Sequence, residues 1–356
     1  MKNMGKIATG TVLAGMLALS ACGNEDNAEE VDAGSNDNNN HADDANDEAE
    51  ANSSDPAEGA FRIGATQIVE HPSLDAAFNG FKEALSDHGF IEGENVSYDF
   101  QSAQGDQNNT SSIANNFVAD EVDLIFANST PSAQGALQAT DDIPIIFTSV
   151  TDAIGAGLIE ALDQPGENIT GVMDLHPESI EMTVAFIDQY FEGANVGLIY
   201  NSGEQNSVAQ IEAVEAAIEG TSLESSSRSV STSAEVQQAA ESLVGTADVF
   251  FIVTDNTVVS ALEVVVDTAN SYSIPMIVGE PDSLERGGFA TFGIDYFSIG
   301  YRSGEMAAEI LSGEATTADI HAEYPADMQL FINRDHAEAQ GVSWHDDWDT
   351  DAEFLD

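Results

Sequence analysis

Ten short apolar or β-branched runs, separated by helical patterns and falling into two sets of five, constrain this 356-residue chain more than any other feature. The first set occupies residues 63–69, 96–100, 123–127, 143–150 and 169–173; the second occupies 196–200, 223–230, 249–254, 274–279 and 289–294. One helix between them carries Leu74, Phe78, Phe81, Ala84 and Leu85 at three- and four-residue spacing and stops at Gly89. Another carries Val208, Ile211, Val214 and Ile218, with Ser207 and Gln210 in capping-box register and Gly220 at its end. Strand and helix in regular alternation imply parallel sheets covered by helices, so the fold class is α/β.

The two sets also align with each other. The segment from Asp123 to Thr130 lies over that from Asp248 to Asp255, Leu137 over Leu262, and Ile143-Pro144 over Ile274-Pro275, with one slip between them. This predicts two similar doubly wound lobes with a ligand cleft between them. Ligands of open α/β sheets bind beyond the carboxyl ends of the strands, which selects the residues to inspect. In lobe one these are Ser129, Thr130, Thr148, Ser149 and Thr151, with Thr130 before Pro131 expected to cap a helix whose N-terminus faces the cleft. In lobe two they are Thr254, Asp255, Asn256 and Glu280. Hydroxyls and helix N–H groups on one wall and acids on the other suit a zwitterion, its carboxylate on lobe one and its ammonium on Asp255 and Glu280. Gln67, Glu70 and His71, in and beside the loop after the first strand, open on the same cleft. Tyr200, Asn201 and Asn206 follow the first strand of lobe two and offer a stacking face and amides.

The ends of the chain read differently. Residues 1–21 carry Lys2 and Lys6, no acid, and a short apolar run, the layout of a signal peptide. They end Leu19-Ser20-Ala21-Cys22, which resembles the bacterial lipobox, and Cys22 is the chain's sole cysteine. The resemblance implies lipid on Cys22, an extracytoplasmic location and a membrane anchor. Residues 22–59 have almost no large apolar side chains and are expected to form a disordered acidic tether. Residues 344–356 form an acidic tail in which Trp344 and Trp348 either pack on the body or hang free. The expected lobes are 60–172 with 295–317, and 173–294 with 318–343.

Composition excludes several functions. With 8 basic and 64 acidic residues the net charge is −56, so phosphate-backbone binding is excluded and nucleic acid is not a partner. A folded chain of this charge needs screening, which points to a halophilic host. There is no P-loop, no nucleophile elbow, no third glycine after Gly155-Ala156-Gly157, and no histidine or cysteine spacing for a metal. His345-Asp346-Asp347 reads as solvated tail. No cofactor is expected, and no enzyme.

Several strings resemble the tryptophan/aromatic amino-acid type of ABC transporter substrate-binding lipoprotein, the TrpX-like group. They are Glu70-His71-Pro72-Ser73-Leu74-Asp75, Gly105-Asp106-Gln107, the segments 122–127, 142–145, 150–152 and 254–261, Tyr200-Asn201, Asn206-Ser207, and Gly293-Ile294-Asp295-Tyr296. The resemblance spans residues 61–342 and brings Asp295 into the candidate set. It implies a type I periplasmic-binding-protein fold, three crossovers near 171–175, 293–296 and 315–322, a helix over 297–311 packed on lobe one, and closure around an amino acid, aromatic by preference. Partners would be the small-molecule ligand, an ABC permease and the membrane, with the protein a monomer. The alternatives are a sensor lipoprotein presenting its ligand to a membrane receptor, and a binding protein for a sugar or nucleoside.

Overall fold

The computed structural model describes residues 60–355. The signal peptide, Cys22 and the tether lie outside the described residues. The strands are β1 (Phe61–Gln67), β2 (Val96–Ser102), β3 (Leu124–Asn128), β4 (Ile145–Val150), β5 (Ile169–Met173), β6 (Asn195–Asn201), β7 (Glu224–Val230), β8 (Val249–Ile252), β9 (Met276–Val278), β10 (Ala290–Gly293), β11 (Gln329–Ile332) and β12 (Glu353–Phe354). The helices are α1 (Pro72–Asp87), α2 (Gln107–Ala119), α3 (Thr130–Ala139), α4 (Ser179–Tyr190), α5 (Gln205–Ile218), α6 (Val236–Leu243), α7 (Asn256–Val259), α8 (Leu262–Tyr272), α9 (Pro281–Arg286), α10 (Tyr296–Leu311), α11 (Arg334–Ala339) and α12 (Trp348–Asp351).

All ten expected strands form, in two sheets. The first has the order β2-β1-β3-β4-β5 and is parallel throughout. The second has the order β12-β11-β10-β9-β8-β6-β7 and is parallel except between β10 and β11. Strands β3, β4 and β5 are buried on both faces, as strands covered by helices on each side must be. Each sheet has an apolar cluster on each face, built on one side of sheet one around Phe117, Ile125 and Phe147 and on the other around Phe81, Phe126 and Met306.

The chain leaves sheet one after β5 and returns after β10 as α10, which packs against α1. Gly80, Gly300 and Gly304 make this approach possible: a Cβ at any of them would meet the backbone of the facing helix. Residue 323 then bridges Val172 beside β5, and Arg302 of α10 pins the same Glu323 through two hydrogen bonds of 3.0 and 2.9 Å.

Two local expectations need correction, and one left open is decided. The capping box at Ser207 does not form, because α5 starts at Gln205 and Ser207 lies buried within its first turn; Gln210 instead accepts from Thr254 N–H at 3.2 Å. Ser129, not Thr130, caps α3, since its φ of 134° turns its hydroxyl back to accept from Ser132 N–H at 3.3 Å. The segment from Trp344 onward is built into the second lobe. Trp348 is 1% exposed against Phe186 and Tyr190, β12 pairs with β11, and Arg334 stacks over Trp344 and Phe354 at 4.4 and 4.2 Å.

Candidate functional site

A small, partly open cavity lies between the lobes at the carboxyl ends of the strands. Lobe one lines it with Val69, His71, Ser73, Leu74, Thr130, Ser149 and Thr151. Lobe two supplies Asn206, Thr254, Asp255, Asn256, Val259 and Glu280, and the crossover segments add Asp174 and Tyr296. Among the described residues, no lysine or arginine lines it.

The lobe-one wall is held by a hydrogen-bonded chain behind it. Ser149, at φ 55°, donates to Asn128 Oδ1 at 2.7 Å. Asn128 donates to Leu74 O at 2.7 Å and to Gln67 Oε1 at 3.3 Å, and Gln67 donates to Asp75 at 3.0 Å. Two non-glycine residues with positive φ, Ser129 and Ser149, stand at adjacent strand ends. Such backbone persists only where its surroundings enforce it, and it clusters at binding sites. The Thr130 hydroxyl, by contrast, is buried and has no partner, and it stands on the first turn of α3.

The lobe-two wall is tied up by its own helices. Asp255 caps α7, taking Val258 N–H at 2.8 Å and Asn201 N–H at 2.5 Å. Burial, then the neighbouring Glu204 charge, push its carboxyl up to about 7. Glu204 is buried and accepts from Asn256 Nδ2 and Thr257 Oγ1, both at 2.7 Å. Asn206 donates to Thr254 O at 3.1 Å, while its Oδ1 is left without a partner. Glu280 caps α9 by accepting from Ser283 N–H at 2.8 Å.

Glu280 is also where the lobes touch. Ser73 Oγ of α1 sits 2.8 Å from Glu280 Oε2 and 2.5 Å from Asp282 Oδ2. One hydroxyl has one proton to donate, which the two carboxylates share, and burial raises the proton affinity of both. His71 Nε2 lies 3.8 Å from Glu280 Oε1. Burial, helped by the Arg286 charge, lowers the imidazole to about 4, so at neutral pH this approach is not an ion pair. A second bridge between lobes runs from Gln107 Nε2 to Gly203 O at 3.0 Å.

Asp174, just past β5, accepts from Tyr296 OH at 3.0 Å through one oxygen, and the other has no partner. Burial pushes its carboxyl up to about 6, against the pull of the Tyr296 hydrogen bond and of the nearby Thr151 hydroxyl.

Nine of the sixteen sequence-selected contact residues line the cavity: His71, Thr130, Ser149, Thr151, Asn206, Thr254, Asp255, Asn256 and Glu280. The other seven do not. Gln67 and Ser129 belong to the support behind the wall, and Thr148 is buried within β4. Glu70 is exposed, and Asp295 caps α10 by accepting from Phe297 N–H at 3.0 Å. Asn201 borders a separate outer groove, and Tyr200 packs on the lobe-two core instead of offering a stacking face. Sequence reasoning missed Val69, Ser73, Leu74, Asp174, Val259 and Tyr296. The strand-end rule, extended to the fifth strand of each set, would have found Asp174 and Tyr296.

Two α/β lobes around a cavity, reached by strand ends and crossover segments, define a solute-binding protein of the type I periplasmic-binding fold. The chain belongs to the ABC transporter substrate binding protein family, which it matches over residues 62–353. It is therefore a binding protein and not an enzyme, of a family that works outside the cytoplasm. It is 44% identical over 278 residues to the tyrosine-binding protein of Clostridioides difficile, covering 78% of this chain and 80% of that one. A structure from Streptococcus pneumonia in complex with L-Trp superposes with a TM-score of 0.79 at 30% identity, covering 83% of this chain and all of the other. The ligand-free, open structure of a substrate-binding protein with adhesive properties from Clostridium difficile gives a TM-score of 0.62 at 39% identity, covering 83% and 99%.

Proposed function

We propose that this protein captures an aromatic amino acid, tyrosine foremost, and carries it to an ABC permease by closing its lobes on it. One observation carries the reading: Asp174, half-buried, lines a cavity without lysine or arginine and keeps one buried oxygen, Oδ1, unpaired. A buried carboxylate left half-bonded is costly unless a cation arrives, and a ligand ammonium is such a cation. Asp255 and Glu280, expected from sequence to hold the ammonium, line the same cavity, but both already accept backbone N–H groups. The ligand carboxylate falls to the first turn of α3, where the free Thr130 hydroxyl and the helix dipole favour an anion. Val69, Leu74 and Val259 flank the space left for a side chain. Similarity to a tyrosine-binding protein and to an L-Trp complex supports an aromatic ring there. A thermal-shift screen of the amino acids tests the reading, since a ligand stabilises the state it binds. Tyrosine or tryptophan should raise the melting temperature; no shift with any amino acid refutes it.

The contacts of Ser73 with Glu280 and of Gln107 with Gly203 support closure. So does the better superposition on the L-Trp complex than on the open structure, despite lower identity to the former. The moving jaws are residues 60–172 with 295–317 and the remainder of the folded chain. X-ray scattering should show the radius of gyration falling when ligand is added. Lipid on Cys22 would hold the protein, as a monomer, at the outer face of the cell membrane; Cys22→Ser should release it to the medium. The charge of −56 supports a high-salt host, in which case stability rises between about 0.1 M and several molar salt as self-repulsion is screened.

A further inference from the structure

We propose that His71 and Glu280 together read a hydroxyl on the ligand's ring, so that the cavity selects a phenol, as in tyrosine, over phenylalanine and tryptophan. The inference rests on the aromatic amino-acid reading above and assigns the part of the site that decides which ring is taken.

The two side chains come from opposite lobes and are both buried, at 7% and 3% exposure. His71 caps α1 by accepting Ser73 N–H on Nδ1 at 3.3 Å. In a neutral imidazole the proton then sits on Nε2, making that atom a donor. Neutrality follows from burial and from the nearby Arg286 charge, which outweigh the opposing pull of Asp282, Asp75 and Glu263. Nε2 is buried, has no partner, and belongs to a residue that lines the cavity. Its nearest carboxylate oxygen, Glu280 Oε1, is 3.8 Å away. That is too far for a direct hydrogen bond, yet one oxygen atom can stand at ordinary hydrogen-bond distance from both. Glu280 Oε1 receives Ser283 N–H and retains a second lone-pair direction.

The gap therefore asks for one atom that accepts from Nε2–H and donates to Oε1. A phenol oxygen does both. Phenylalanine does neither. An indole N–H can donate to Glu280 but leaves the His71 donor unpaired, which a buried site penalises. Because the two halves of the bracket sit on different lobes, the hydroxyl is read only when the jaws are together.

Titration calorimetry of the full chain with L-tyrosine, L-phenylalanine, L-tryptophan and the methyl ether of tyrosine tests this. The wild type should bind tyrosine at least about 100-fold tighter than phenylalanine, since sites built around a substrate hydroxyl reject its absence strongly. The methyl ether, which cannot donate, should lose at least about tenfold against tyrosine. His71→Asn keeps a cap-competent side chain but withdraws the distal donor. It should weaken tyrosine by about 10- to 100-fold, leave phenylalanine within about threefold, and so collapse the ratio. A wild-type tyrosine-to-phenylalanine ratio below about fivefold overturns the proposal, as does a ratio that survives His71→Asn. Should that variant fail to fold, the methyl ether decides with the wild type alone. If none of the ring amino acids binds, the aromatic reading itself falls, a result distinct from equal binding of all three.

Discussion

The two walls of the cavity descend from matching stretches of sequence, yet they have divided the work. On lobe one, Ser149, Asn128 and Gln67 hydrogen-bond to one another behind the surface, and Thr130 is left with a free hydroxyl at a helix N-terminus. On lobe two, the corresponding positions are carboxylates whose oxygens already cap α7 and α9. The carboxylate with an unpaired oxygen, Asp174, stands on a crossover between the lobes. A helix N-terminus can thus be completed by the ligand, as at α3, or by the chain's own acid, as at α7 and α9. Only the first leaves the helix N–H groups themselves for a guest.

This contrast can be broken experimentally, and the crossover acid should give the largest effect. Asp174→Asn keeps an acceptor for Tyr296 but removes the buried charge. It should weaken tyrosine at least about 100-fold by calorimetry, because a buried ammonium loses its counter-charge, while leaving the empty protein equally or more stable in urea. Asp255→Ala should do the reverse. Losing a cap and stranding Asn201 and Val258 N–H groups should cost about 2–3 kcal/mol of stability in a denaturant titration.

Acidity tests the same division through Asp174. Its folded carboxyl titrates near 6, above its ordinary value of 3.8. The folded empty protein therefore binds the proton more tightly than the unfolded chain. Its contribution to stability, read as the difference between the wild type and Asp174→Asn, should rise as pH falls from 7 through 6 towards 4, and be lost again on the way back. Ligand affinity should move the opposite way, falling by up to about tenfold per pH unit below about 6 as the counter-charge is neutralised. Melting curves and calorimetry across pH 4–8 would reveal the opposed trends; parallel trends would remove Asp174 from the ammonium site. The smallest effect belongs to Thr130→Val, which deletes one hydroxyl without a partner. Affinity should drop about three- to tenfold with stability unchanged within about 0.5 kcal/mol.

Pattern alone determined ten of the twelve strands and the cleft between two lobes, but missed β11 and β12, which extend the second set of five to a seven-stranded sheet. The hydrophobic period is local, and a parallel sheet covered on both faces leaves few other ways to bury these runs. Strand ends likewise located nine residues of the cavity wall, because the pleat and crossover direction fix where those ends must point. Only the tertiary structure decided which of those groups are free. Whether Asp255 also takes Asn201 N–H, whether Arg286 stands near His71, and whether Ser73 meets Glu280 depend on partners 54, 215 and 207 residues away. It also turned Trp348 and its acidic neighbours from a tail into part of the second lobe's sheet and core, since the aromatic partners that bury it lie on α4. Burial and hydrogen-bond saturation are properties of assembled neighbours, and the order of residues carries them only once the chain has folded.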